Sequence, residues 1–138
     1  MPAAHTFTHI KITQNELLTE AKLRFGDNVM KIAFTCPTCE DTATLADFRD
    51  LNVDPGRAGQ DCIGRHLGAC DAKTKRTPYT GRGCDWAAYG LFHGPWEIVL
   101  PVEEGKPERS MWAFPLAGEP AEGGPVAAHL AAKAEAAR

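Results

Sequence analysis

Five cysteines, spaced Cys36-x2-Cys39-x22-Cys62-x7-Cys70-x13-Cys84, are the residues of this chain best suited to chemistry. A C-x2-C pair in a tight turn sets two thiolates on one side of a metal ion, and structural zinc takes four such ligands in a tetrahedron. "FTCPTCED" supplies the first pair, and the second must come from farther along. Cys62 and Cys84 each follow a polar or glycine-rich stretch, whereas Cys70 continues the apolar stripe of Ile63 and Leu67. The expected set is therefore Cys36, Cys39, Cys62 and Cys84 around one zinc. His66 is the substitute ligand, because four residues after Cys62 it would share a helical face with it. Four thiolates leave no open coordination position, so the metal is expected to be structural.

Competing chemistries are weaker. A redox pair at Cys36 and Cys39 would need a βαβ context with a helix opening between the cysteines, and an acidic turn follows instead. A nucleophilic Cys84 would need a base such as His93, oriented by Asp85, or the nearby positive charge of Arg82. A hydrolytic zinc site would need water in place of one thiolate, with Glu40 or Asp85 as base. Binding is favoured over catalysis.

The chain carries a formal net charge of −3. Between Arg57 and Arg82 it has six basic and two acidic residues, a local +4 that leaves −7 for the remainder. Arg65, Lys73, Lys75, Arg76, Tyr79 and Arg82 are the candidate contacts to an anion or a partner. Trp86 and Tyr89 add stacking surface for nucleic acid. "TGRG" could cradle one phosphate through backbone amides, although it completes no nucleotide-binding fingerprint. A solvated basic loop over buried aromatics is the simpler account of the same residues. The aromatics and arginines around residues 81–96 would also suit a protein-binding hot spot.

The elements that must position these residues follow from local signals. Thr13 with Glu16 makes a capping box for a helix carrying Leu17, Leu18, Ala21 and Phe25 on one face, ended by Gly26. "VMKIAFT" reads as a strand running into the cysteine turn, and Thr44 caps a short helix. Residues 57–70 are compatible with a glycine-containing helix, and Asp85 with the start of another that stops at Gly90. "WEIVLPV" and "MWAFPL" alternate as a hairpin, with Trp96, Ile98, Leu100 and Val102 facing Trp112, Phe114 and Leu116. The expected fold is α+β: a small antiparallel sheet, two or three helices and a structural zinc knuckle.

At 138 residues the chain suits one domain with a modest core, which zinc would help to hold. Residues 1–116 are expected to form that zinc-stabilised domain, and 117–138, rich in alanine, glycine and proline, a flexible tail with little core contact whose last dozen residues could form a marginal helix. The N-terminus lacks a secretory pattern and no apolar run approaches the ~20 residues of a membrane span. A cytoplasmic protein without a membrane partner is expected.

Taken together, "FTCPTCED" with its CPxC motif, "GQDCIGRHLGACD" with GQxCIGR, and "RTPYTGRGCDWAAYGLF" resemble a family of small bacterial, phage and prophage proteins over about residues 14–116. The resemblance implies no established activity and no catalytic residues. It implies cysteines at the positions of Cys36, Cys39, Cys62 and Cys84, with another small or apolar residue accepted in place of Cys70. It also implies a phage-type accessory context, which favours an inhibitor or modulator of a host enzyme or defence system; with the basic stretch, the expected role is binding to nucleic acid or a host macromolecule.

Overall fold

A computed structural model describes residues 8–70, 81–89 and 93–136. The fold is α+β, with two small sheets, three helices and several 3₁₀ turns among the described residues. Strand β1 (Ile10–Thr13) runs directly into helix α1 (Gln14–Phe25). The Thr13 hydroxyl accepts the Glu16 N–H at 3.1 Å, and the Glu16 carboxylate accepts the Thr13 N–H at 2.9 Å. This reciprocal bonding satisfies two amides that the helix start would otherwise leave unpaired. Gly26, at φ +83°, ends the helix.

"VMKIAFT" splits into a 3₁₀ turn, Val29–Lys31, and strand β2 (Ala33–Thr35). Strand β2 pairs antiparallel with β3 (Thr42–Thr44), and "CPTCED" is the loop between them. Helix α2 (Leu45–Arg49) follows at once, capped by Thr44 with Asp47 returning the bond.

The larger sheet has the order β1-β4-β5, where β4 is Trp96–Val99 and β5 is Ser110–Ala113. Strands β4 and β5 form the expected hairpin, but β1 lies parallel to β4. Ile10 aligns with Trp96 and Ile12 with Ile98, so four buried side chains share the inner face. The register corrects the facing assignment on β5. Ala113 lies opposite Trp96 and Met111 opposite Ile98, while Trp112 pairs with Glu97 on the other face. Phe114 and Leu116 are buried after the strand has ended, and Val102 is exposed. The segment after β5 joins the sheets: Phe34 bridges to Leu116, and Phe114 N–H reaches the Gly59 carbonyl at 2.7 Å.

Three other expectations are revised. Residues 57–70 do not form one helix: 3₁₀ turns at Pro55–Gly59 and Ile63–His66 are separated by an extended stretch paired with residues 86–88. No helix starts at Asp85 among the described residues, because Ala87 is drawn into a β-bridge with Asp61. The residues after Ala117, expected to have little core contact, carry helix α3 (Pro125–Ala136), which packs on α1 and β1.

The anchor for α3 is a fully buried carboxylate. Glu20 sits on the inner face of α1, where it accepts hydrogen bonds from Ala121 N–H at 2.8 Å and Val126 N–H at 3.2 Å. It also pairs with Arg24 Nε at 2.6 Å, the two side chains being 0% and 4% exposed. Arg24 in turn donates to the carbonyls of Leu116, Ala117 and Gly118. A buried charge is tolerable only with such satisfaction. Val126, completely buried, completes the seam. The inner face of α1 is thus Leu17, Glu20, Ala21, Arg24 and Phe25, while Leu18 is exposed.

Candidate metal centre

Two separate backbone pairings deliver the thiols. The β2–β3 loop supplies Cys36 and Cys39. It is closed by Cys36 N–H to the Asp41 carbonyl at 2.9 Å and by Glu40 N–H to the Cys36 carbonyl at 2.8 Å, with Glu40 at φ +68°. Cys62 and Cys84 come from the second pairing, in which Cys62 N–H binds the Trp86 carbonyl at 3.1 Å and Ala88 N–H the Gln60 carbonyl at 2.8 Å.

The two arms of that second pairing meet at Gly64 and Gly83. A Cβ on Gly64 would collide with the backbone nitrogen and oxygen of Cys84. One on Gly83 would lie 2.7 Å from Gly64 N and 2.9 Å from Cys62 Sγ, and Gly83 has φ +78°. Only glycine permits this approach.

The four sulfurs of Cys36, Cys39, Cys62 and Cys84 all lie within 4.8 Å of one another. Cys36 Sγ is 3.8 Å from Cys84 Sγ, and Cys39 Sγ is 3.6 Å from Cys62 Sγ. A regular tetrahedron with a metal about 2.3 Å from each sulfur has edges of about 3.8 Å. Four thiols this close could hold a metal ion, and all four are free of disulfides.

Their electrostatics agree with ligation. The Cys62 thiol is pulled down to about 5, chiefly by the hydrogen bond from Cys36 and further by the N–H groups of Cys84 and Gly64, against the opposing effect of burial. Its neighbours move the other way. Cys36 is driven far above the ordinary thiol range by its bond to Cys62 and by burial. Cys39 rises to about 12, first through desolvation and then through Cys62 and Cys84. Without a cation the cluster thus accommodates one thiolate well; a dication would favour deprotonation of the others. Backbone N–H groups already point at the sulfurs, Cys84 N–H at Cys62 Sγ (3.2 Å) and Trp86 N–H at Cys84 Sγ (3.4 Å).

The remaining candidates have other surroundings. His66 is not with the sulfurs: its Nε2 lies 3.0 Å from Asp61 Oδ2, and its ring meets Phe48 edge-on. Cys70 lies outside the four-thiol group. Arg82, read from sequence as an exposed contact, is tied to the Asp41 carboxylate at 3.0 Å, the Thr42 carbonyl at 2.6 Å and Asp47 at 3.2 Å. It fastens the Cys84 arm to the β2–β3 hairpin. Arg65 donates to the Asp85 carbonyl at 2.6 Å. Lys73, Lys75, Arg76 and Tyr79 lie outside the described residues. His93 is not joined to Cys84: its Nδ1 binds the Gly94 carbonyl at 3.1 Å and its ring stacks on Trp112.

Sequence reasoning missed a polar cluster beside the thiols. Asp61, buried, accepts a two-pronged contact from Arg57 at 2.9 and 3.2 Å in addition to His66, and Arg57 also donates to the Tyr89 hydroxyl at 2.8 Å. The Arg57-to-Asp61 spacing of four residues was the available signal, but it becomes informative only once the segment is known to turn there.

A sequence model of the VVA0879-like family matches residues 13–115, which contain all four clustered cysteines. No curated protein and no solved structure matches the chain at a significant level. No described helix is long and apolar enough to cross a membrane.

Proposed function

This chain belongs to the VVA0879-like family, and from that premise we propose that it is a zinc-stabilised binding module rather than an enzyme, with nucleic acid as its partner. The observation that carries the metal reading is the mutual proximity of the four sulfurs, all within 4.8 Å of one another, with two separations of 3.8 and 3.6 Å that match a tetrahedral edge. Cys36, Cys39, Cys62 and Cys84 hold the ion, which acts as a cross-link between two loops that no strand pairing joins directly among the described residues. Zinc suits a lone site of four thiolates. Four thiolates exclude a metal-bound water, so the ion supplies folding energy rather than Lewis acidity.

The nucleic-acid reading rests on the basic stretch that holds Lys73, Lys75 and Arg76, and on Trp86 beside the metal loops. The sequence resemblance to phage and prophage proteins supports a reading as an accessory factor acting in the cytoplasm. A host protein is the second candidate partner, favoured by exposed Tyr89 with the Arg57 guanidinium over its ring at 5.3 Å, an arrangement suited to a hot spot.

Elemental analysis of protein purified under reducing conditions tests the metal. About one equivalent of zinc, with unfolding on chelation, is expected; less than about half an equivalent of any metal removes the proposal. Lys75→Glu combined with Arg76→Glu should weaken salt-dependent retention on single- or double-stranded nucleic acid. Absence of retention by the wild-type chain at low salt refutes the nucleic-acid reading, and a stable complex with a host protein would then replace it.

A further inference from the structure

Against the metal loop lies a cleft of about 300 Å³ lined by His9, Pro37, Thr38, Trp86, His93 and Pro95. Pro37 and Thr38 are the two residues between Cys36 and Cys39, so the cysteine turn forms one wall. Two of the cleft's rings are supported from within the protein. Trp86 stacks on Phe114 with centroids 5.6 Å apart and planes 19° from parallel, and His93 stacks on Trp112 at 3.7 Å and 12°. Rings fixed in this way have little side-chain entropy left to lose when a third ring joins them.

The polar groups are specific as well. His93 Nδ1 lies 3.1 Å from the Gly94 carbonyl oxygen, which can only accept, so Nδ1 carries the proton and Nε2 of the neutral ring is left as an acceptor. The Thr38 hydroxyl can donate or accept. No Asp, Glu, Lys or Arg is among the described lining residues. A phosphate or carboxylate would therefore find no counter-charge inside, and a purely aliphatic ligand would leave the polar groups of His93 and Thr38 without partners. A neutral, planar heterocycle with donors and acceptors on its edge uses every one of these features. Lys133 Nζ donates to the carbonyl of His9, one of the lining residues, at 2.7 Å, which brings a cation near the cleft.

We propose that this cleft receives one unstacked base of a single-stranded nucleic acid, held by stacking on Trp86 and by edge contacts to Thr38 and His93 Nε2. The proposal rests on the nucleic-acid reading above and gives it a site. It differs from the basic-loop account because affinity here comes from the base as well as from phosphate. It also links the metal to recognition, since the ion fixes the turn that carries Thr38.

The experiment uses the zinc-loaded full-length chain with a fluorescein-labelled oligodeoxythymidylate, an abasic strand of the same length and free thymidine. Binding is followed by anisotropy and by quenching of tryptophan fluorescence. His93 is exposed, so His93→Ala should retain its metal content and lose only the small stability of its ring stack on Trp112; Trp86→Leu is the second variant. The oligonucleotide should bind, quench tryptophan and outcompete the abasic strand; Trp86→Leu should weaken it roughly tenfold, the scale of one base–aromatic stack, and His93→Ala by a similar factor through the loss of one hydrogen bond. Its salt dependence should stay unchanged, because no phosphate contact is lost. Equal affinity for the abasic strand, or unchanged affinity in both variants, overturns the cleft assignment while leaving the nucleic-acid reading intact. No binding by wild type at low salt overturns both. Thymidine binding as tightly as the strand keeps the base site but overturns a strand as its source in favour of a free nucleoside.

Discussion

Replacing Gly64 by alanine tests how the two cysteine-bearing arms are held at their working distance. The added Cβ would fall on the backbone N and O of Cys84 and 2.7 Å from the Gly83 carbonyl carbon. Main chain cannot swing aside as a side-chain tip can, so one arm must retreat by about 1 Å to reach ordinary contact. Metal–sulfur distances tolerate only about 0.2 Å. The displacement must therefore strain the ligand set or the backbone around it. Overpacking of this kind costs about 1–3 kcal/mol. Because metal binding and folding are linked, that cost should appear as roughly ten- to hundredfold weaker metal affinity, at about 1.4 kcal/mol per factor of ten. Competition with a chromophoric chelator measures the affinity, and the thiolate-to-metal absorption of the cobalt-substituted protein reports the geometry. Gly68→Ala is the comparison: Gly68 has φ +101° but open space around its Cβ position, so backbone strain should cost about 1 kcal/mol without altering the metal site. Gly64→Ala binding metal within threefold of wild type, or behaving like Gly68→Ala, would refute the reasoning.

Other substitutions probe the supports around the site. Glu20→Gln leaves the buried Arg24 guanidinium without its counter-charge and should cost about 3–5 kcal/mol in urea unfolding, with faster amide exchange at Ala121 and Val126; a loss below about 1 kcal/mol contradicts the buried-pair account. Arg82→Gln removes the tie from the Cys84 arm to Asp41 and Asp47, but Arg82 is 40% exposed, so solvent screening limits the expected loss to about 1 kcal/mol. Unchanged chelator-induced metal release in that variant would show the tie to be unimportant. For Asp61, burial pushes the carboxyl up, but hydrogen bonds from Tyr89, Arg57 and His66 more than offset it and hold the group below its ordinary value. A depressed carboxyl stabilises the fold above its unfolded pKa of about 3.9 and loses that contribution as pH falls through the lower folded value. Acid unfolding should consequently be less steep below about pH 4 in Asp61→Asn than in wild type, and identical acid limbs would count against this. Cys84→Ser should lower zinc retention, whereas Cys70→Ser should leave the stoichiometry unchanged, as mass spectrometry under native conditions can determine.

The sequence alone determined the features whose causes lie within a few residues. Thr13 with Glu16 and Thr44 with Asp47 start their helices through bonds spanning three positions, and "CPTC" makes a tight turn because its own backbone closes it. The four thiols that group together are the four expected from the sequence, although the helical stripe used to set Cys70 aside does not form. Tertiary structure decided what depends on distant partners. Residues 57–70 have enough apolar periodicity for a helix, yet the Cys62 N–H and the Gln60 carbonyl pair with Trp86 and Ala88, and Gly64 serves a backbone crossing rather than a helix face. Glu20 looks like a solvent-facing residue of α1 until α3 and the 116–118 carbonyls surround its pair with Arg24. Arg82 looks free for an anion until the β2–β3 hairpin brings Asp41 and Asp47 to it. A charged side chain is committed by whichever partner folding delivers, and neither that partner nor its distance is written in the local sequence.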